Sequence, residues 1–289
     1  MALLSIFTLG GCTKNTASAK NQPLTITDSY NRTVSLEKSP EKVVSLSPGA
    51  TETIFALGAE KTLVGRSDYC DYPAEASKIE SVGKITDPSL EKIAQLKPDL
   101  VIAGAHFSKD LVKKMEDLGI KVAVLYGEES IDGAYTNIQD IAKVLGEEKK
   151  GNEIIEGMKK KVQNVEDKIK GLDKPSVYYV VGFGKSDFTA GGNTFVGKII
   201  EKAGGSNIAA DLQGWKYSKE KLMEMNPDII VVRNGEKSAF SSGEGYKELK
   251  AVKEGKVYEI DNNMLDRQGP RQADGLEALA KILHPEAFK

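Results

Sequence analysis

The chain is short of the residues from which most enzymes and metal sites are built. Its 289 residues include two histidines, His106 and His284, and two cysteines, Cys12 and Cys70. Neither histidine has a partner at zinc-ligand spacing. No nucleophile can be matched to a histidine and an acid. The stretch VVGFGKS, from Val180 to Ser186, carries glycines, but not at the spacing of either nucleotide fingerprint. The turn SPGATE offers helix N-terminal amides to an anion, as many strand-to-helix turns do without holding one. Excess charge of one sign is also missing. The net charge is -2, so no basic field draws nucleic acid. Apolar runs stay well below the roughly 18 residues of a membrane helix. Catalysis and nucleic-acid binding therefore have little support, and no cofactor site is expected. What remains is an ordinary globular composition, 40% hydrophobic and 28% charged, in a chain long enough for two domains.

Against this spare background one phrase occurs twice. SLEKIAQLKPDLVIAG begins at Ser89, and SKEKLMEMNPDIIVVRNG begins at Ser218. Laid one on the other they run without a gap, so that Glu91 falls on Glu220, Lys92 on Lys221, Pro98 on Pro227 and Asp99 on Asp228. Each copy reads as one local structure. The serine is an N-cap and the glutamate suits the positive end of the helix dipole. Ile93 and Leu96, or Leu222 and Met225, form a short apolar stripe at helical spacing. Proline ends the helix, because the residue before it is pushed out of the α region. The unbroken apolar runs that follow are strands buried on both faces. Two copies predict two similar α/β lobes.

The rest of the chain fits that plan. LTITDSYNRTVSL reads as a hairpin around Ser29-Tyr30-Asn31. KVVSLSP is a strand, followed by a helix capped at Thr51. Leu63–Arg66 is a short strand, and SDYCDYP an aromatic polar loop after it. Helix at 111–118, strand at 122–126 and helix at 131–145 complete a βαβ series, which implies a parallel sheet with helices on both faces. Glu147 to Lys170 differs. It is rich in Lys and Glu, with one apolar stripe through Ile154, Ile155, Met158, Val162, Val165 and Ile169. A helix of that length spans about 36 Å, which is too long for a small lobe and right for a crossing between two. The second lobe opens at Ser176, and its last helix runs from Arg271 to Leu283.

The first residues, MALLSIFTLGGC, resemble the end of a lipoprotein signal peptide, with Leu9-Gly10-Gly11-Cys12 as the lipobox. That resemblance implies export, cleavage and lipidation at Cys12, and leaves Cys70 without a disulfide partner. The alternative is a short buried segment. The expected organisation is a signal segment over 1–12, a flexible tether over 13–23, an N-terminal α/β lobe over 24–146, a linking helix over 147–171 and a C-terminal α/β lobe over 172–289.

SLSPGATETIFALG, GRSDYCDYP, the two copies of the phrase, DFTAGG, GWKYSKEKLMEMNPD and DRQGPR occur in one order. Together they resemble the helical-backbone substrate-binding proteins of ABC importers, the class that carries cobalamin, ferric siderophores and haem, and most closely its cobalamin-binding members. The resemblance runs from about Leu24 to the C-terminus. It implies two lobes, each with a mostly parallel sheet flanked by helices, joined by one long helix, with a ligand cleft between them. It implies binding and delivery without catalysis, a monomer lipid-anchored on the outer face of the cytoplasmic membrane, and an ABC permease dimer with its ATPase as partner. Glu91 and Glu220 match the two carboxylates that dock on the permease; helix N-terminal stabilisation is the plainer role for each alone.

Tyr69, Phe188 and Trp215 match cleft aromatics, whose faces suit a bulky apolar ligand, and Arg267 matches an arginine of the loop before the last helix. Asn263 stands where the cobalamin-binding members have an aspartate, and Ile85 where they have a tryptophan. The ligand implied is cobalamin or cobinamide, with a ferric siderophore or haem as the alternative. A cluster of Arg66, Lys84, Arg233 and Arg271 in the cleft would suit an anionic catecholate siderophore. Cys70 is either a thiol near a metal centre or a buried bystander. The rivals from other classes are an exported two-lobe enzyme, which needs a titratable pair in the cleft, and a surface adhesin or sensor on the same fold.

Overall fold

The computed structural model describes residues 24–289, so the lipobox and tether, Cys12 included, lie outside the described residues. A hairpin comes first. Strands β1 (Leu24–Thr27) and β2 (Thr33–Leu36) pair antiparallel, with Ile26, Val34 and Leu36 turned inward. Asn31 takes the left-handed conformation in the turn, and the Asp28 carboxylate accepts the amides of Tyr30 and Arg32.

The first sheet is parallel throughout, in the order β4-β3-β5-β6. Its strands are β3 (Val43–Ser45), β4 (Leu63–Arg66), β5 (Leu100–Ala103) and β6 (Val122–Val124). Helices α1 (Pro48–Ala56), α2 (Leu90–Leu96), α3 (Lys109–Asp117) and α4 (Ile131–Leu145) connect and cover them. Successive strand residues point to opposite faces. Val43, Leu100 and Ile102 accordingly pack with Ile54 and Ile141 on one side. Val44, Val101 and Val124 pack with Ile93 and Met115 on the other. Burial on both faces explains the unbroken apolar runs. The cap of α1 differs from expectation. Ser47 is the N-cap, accepting from the amide of Ala50, and Thr51 is buried inside the helix with its hydroxyl on Ser45 Oγ at 2.8 Å. Proline at the first helical position, where its missing N–H costs nothing, moves the start back to Pro48.

Helix α5 (Glu148–Ile169) crosses from this sheet to the next. Its stripe of Gly151, Ile155, Met158, Val162 and Val165 is buried, against α4 on one side and the last helix on the other. Gly151 permits the close approach to α4, since a Cβ there would lie 2.6 Å from that of Ala142.

The second sheet is mixed. Its strands are β7 (Ser176–Gly182), β8 (Asp187–Thr189), β9 (Ser206–Asn207), β10 (Lys216–Tyr217), β11 (Ile229–Arg233) and β12 (Val257–Ile260), in the order β10-β8-β7-β11-β12 with β9 also on β7. Strands β7, β9, β11 and β12 are parallel, while β8 and β10 add an antiparallel edge. Its helices are α6 (Phe195–Lys202), α7 (Lys219–Met225), α8 (Lys237–Ser242), α9 (Lys250–Lys253), α10 (Asn263–Asp266) and α11 (Gln272–Leu283).

The repeated phrase occupies the same place in both sheets. Helices α2 and α7 have seven residues each, capped by Ser89 and Ser218, whose hydroxyls accept from the amides of Lys92 and Lys221 at 3.3 and 3.0 Å. Both end in a left-handed residue, Lys97 or Asn226, before the Pro-Asp corner. The aspartate then ties down the start of the neighbouring strand. Asp99 accepts the amides of Glu41 and Lys42 beside β3, and Asp228 accepts the amide and hydroxyl of Ser176 at the head of β7. Strand β5 lies between β3 and β6 as β11 lies between β7 and β12.

Candidate functional site

In open parallel sheets ligands sit beyond the carboxyl ends of the strands. Both sheets aim those ends at one junction. The segment after β12, Asp261 to Arg271, reaches the loops after β3 and β6. Gln268 Nε2 donates to the carbonyls of Gly127 and Glu128, and Gln268 Oε1 accepts from the Gly127 amide at 3.0 Å. Asn137 Nδ2 donates to the Gln268 carbonyl at 3.2 Å. A Cβ on Gly49, in the first turn of α1, would stand 2.4 Å from that same carbonyl oxygen, so only glycine lets the segments meet. From the opposite direction, Glu129 Oε2 accepts the Phe195 amide at the start of α6, at 2.8 Å.

A buried carboxylate lies at the centre of the junction. Glu52, on α1, has a side chain 3% exposed and two arginine partners from the other lobe. Arg271 grips it with two nitrogens, Nε to Oε2 at 2.8 Å and Nη2 to Oε1 at 2.7 Å, and Arg267 Nη1 reaches Oε1 at 3.0 Å. Such a bidentate pairing is strong and fixes geometry. Each arginine has a further acid: Asp261 for Arg271 at 3.1 Å, and Asp71 for Arg267 at 2.8 Å. The Arg271 guanidinium also lies 3.8 Å from the centroid of the Tyr72 ring. Burial works against the charge on Arg271, yet Glu52 and Asp261 outweigh it and hold the group above its usual value.

Tyr69, Phe188 and Trp215 are surface side chains, 52%, 38% and 44% exposed, and not core residues. On β8 the neighbours Asp187 and Thr189 turn inward and Phe188 outward. Phe188 is paired with Lys216 across the ladder, and the Thr189 amide donates to the Trp215 carbonyl at 2.7 Å. The antiparallel edge thus brings the backbones of Phe188 and Trp215 onto neighbouring segments. Tyr69 comes from the first lobe, on the loop after β4, two residues before Asp71 and three before Tyr72. Asn263 opens α10, half-buried, its amide on Asp261 Oδ1.

The basic residues scatter. Arg271 is committed to Glu52, and Arg66 donates to the carbonyls of Ser67, Asp68 and Ser77 within its own lobe. Lys84 is exposed, and Arg233 is half-buried at the end of β11. Cys70 is fully buried beside Ser67 Oγ and the Ser45 carbonyl, and burial pushes its thiol up from the ordinary value. It is the bystander of the two alternatives. Among the described residues no group of three or more His, Cys, Asp or Glu side chains could hold a metal ion. Glu52, Asp71 and Tyr72 were not singled out in the sequence. The motifs SPGATE and SDYCDYP contain them, but a buried glutamate on an apolar helix is legible only with its distant arginines.

Glu91 and Glu220 stand exposed in the first turns of α2 and α7. Gln95 Nε2 donates to Glu91 Oε1 at 3.3 Å. Glu220 accepts from its own backbone amide and from Ser218 Oγ, which lowers its pKa.

Residues 43–264 match the family described as periplasmic binding protein. The chain is 34% identical over 304 residues to the ABC transporter substrate-binding lipoprotein YvrC of Bacillus subtilis, covering 99% of this chain and 96% of that protein. It is 30% identical over 277 residues to a cobalamin-binding protein of Halobacterium salinarum, covering 91% and 74%. Among solved structures it resembles the apo periplasmic heme-binding protein RhuT from Roseiflexus, with TM-score 0.79 and 26% identity over 86% of this chain and 99% of that one. The chain belongs to the periplasmic binding protein family. It is a substrate-binding protein of the ABC-transporter class and not an enzyme. Among the described residues no helix is long and apolar enough to cross a membrane.

Proposed function

We propose that this protein captures a corrinoid, cobalamin or cobinamide, between its lobes and delivers it to an ABC permease dimer powered by its ATPase. The observation that carries this reading is a set of three large aromatic side chains left at the surface, Tyr69 in one lobe and Phe188 and Trp215 in the other. Leaving such rings about half in water forgoes part of the roughly 1.5–3 kcal/mol that full burial of each gives, and a bulky ligand with apolar faces recovers it. The likeness to a cobalamin-binding protein supports a corrinoid over other such ligands. Asn263 and Arg267 complete the wall on the C-terminal side. Glu91 and Glu220 are the permease-docking carboxylates. Cys12 carries the lipid that holds the protein, as a monomer, on the outer face of the cytoplasmic membrane. The lobes are residues 24–146 and 172–289, with 147–171 as the link.

The test is equilibrium dialysis and absorbance with cyanocobalamin, dicyanocobinamide, haem and ferric catecholate siderophores, read alongside Trp215 fluorescence. A corrinoid binds at micromolar strength or better and quenches the tryptophan. Phe188→Ala and Trp215→Ala each weaken it by about 30-fold or more, as central aromatic contacts do. Tight binding of haem or a siderophore with no corrinoid binding overturns the ligand and leaves the receptor role.

A further inference from the structure

The loop that carries Tyr69 is anchored at both ends to different lobes. On its own side Ser67 donates its amide to the Ser45 carbonyl, Asp68 to the Gly83 carbonyl at 2.8 Å, and Cys70 is buried. The next two residues leave that lobe. Asp71 pairs with Arg267, and Tyr72 lies against the Arg271 guanidinium. Both arginines are held in turn by Glu52, which belongs to the same lobe as the loop. The path therefore runs out from α1 through Glu52 to two arginines of the partner lobe, and back through Asp71 and Tyr72 to the loop. A simple lobe-to-lobe ion pair needs only Glu52. The second pair and the ring stack add to that contact, and they are the parts of it that the Tyr69 loop carries.

We propose that Asp71 and Tyr72 form a strap across the edge of the cleft, with Glu52 as its hub, and that Glu52 and Asp71 are positioning residues for Tyr69. The strap sets how far Tyr69 stands from Phe188 and Trp215. It is a wall of the cleft that stays closed while ligand is held, so losing it speeds dissociation and leaves capture nearly unchanged. The Glu52 end is buried and the Asp71 end is 58% exposed, which ranks the two. This rests on Tyr69 contacting the ligand, but the strap itself exists without ligand and is measured without it.

The experiment uses the full chain and two variants, Glu52→Gln and Asp71→Asn. The second keeps the proposal falsifiable if loss of the buried carboxylate unfolds the protein. Amide exchange is followed without ligand at Asp68 and Cys70, whose amides donate to the carbonyls of Gly83 and Ser67, and at β5 and β11 as references. Asp71→Asn speeds exchange at the loop amides by about twofold to fivefold, the worth of one exposed ion pair, and Glu52→Gln by more than about a hundredfold, the worth of a broken buried one. The β5 and β11 amides are unchanged in Asp71→Asn. Dicyanocobinamide then leaves Asp71→Asn faster by a similar factor, with its association rate within about twofold of the parent. Unchanged loop exchange in Asp71→Asn overturns the strap, as does acceleration spread evenly over the first lobe. If the parent binds no corrinoid while the loop still loosens selectively, the ligand reading fails and the strap stands.

Discussion

The two copies of the repeated phrase invite comparison because each was free to diverge in its own lobe. The frame is the same in both: serine cap, seven-residue helix, left-handed residue, Pro-Asp corner, central parallel strand. The surroundings are not. Asp99 holds two backbone amides, whereas Asp228 holds Ser176 and also an ion pair with Lys250 at 2.9 Å. The first lobe builds four parallel strands, and the second adds an antiparallel edge that displays Phe188 and Trp215. Positions that fold the unit stayed alike, and positions that meet other things changed. Glu91 and Glu220 break the pattern. They are alike and exposed, and Glu91 accepts a hydrogen bond from Gln95 of its own helix. Both suit the positive end of their helices, and under the proposed function a shared external partner is a further reason for their likeness.

The comparison can be tested at matched positions. Ile93 and Leu222 are both fully buried under their helices. Ile93→Ala and Leu222→Ala should each cost about 2–5 kcal/mol, measured by denaturant titration. A large difference would mean that the two helices are not equivalent parts of their lobes. The caps should matter less. Ser89→Ala and Ser218→Ala should each cost about 1 kcal/mol, read from the same titration.

The smallest effect separates the copies. Serine hydrogen bonds and the Lys250 pair hold the Asp228 carboxyl down at about 2, against an ordinary 3.8. A depressed carboxylate stabilises the fold above its ordinary value, and that contribution is lost as the pH falls from 3.8 toward about 2. The group is 42% exposed, so screening keeps its worth below about 1 kcal/mol. Asp228→Asn should lower stability at pH 7 by that amount, and the gap from the parent should close by about pH 2.

Local chemistry made most of the fold legible. Ser89 and Ser218, Pro98 and Pro227, and Gly146 closing α4 act within a few residues of themselves, so the residue types announce the boundaries. The cap of α1 is Ser47 and not Thr51: Pro48 fixes the start, yet it reads equally well as the end of the preceding strand. Strands β8 and β10 were not legible, since three and two residues carry no period. The same limit hid the junction. Glu52 looks like any glutamate in a first turn or two of helix, and its partners Arg267 and Arg271 are more than two hundred residues away. Tyr69, Phe188 and Trp215 come from the resemblance, and only for Trp215, which follows a glycine in a polar loop, does the sequence itself argue against a place in the core.

The most direct measurement is uptake in cells and capture of the permease by the parent, Glu91→Ala, Glu220→Ala and the double variant. Truncating one partner of a hydrogen-bonded charge pair at an interface commonly costs about 2–5 kcal/mol. The two single variants should lose transport and permease binding to a similar, intermediate degree, and the double variant should lose nearly all of both, with ligand affinity and folding unchanged. Normal transport by the double variant, or a loss confined to one lobe, would contradict the account and leave the repeated phrase as a shared element of the fold.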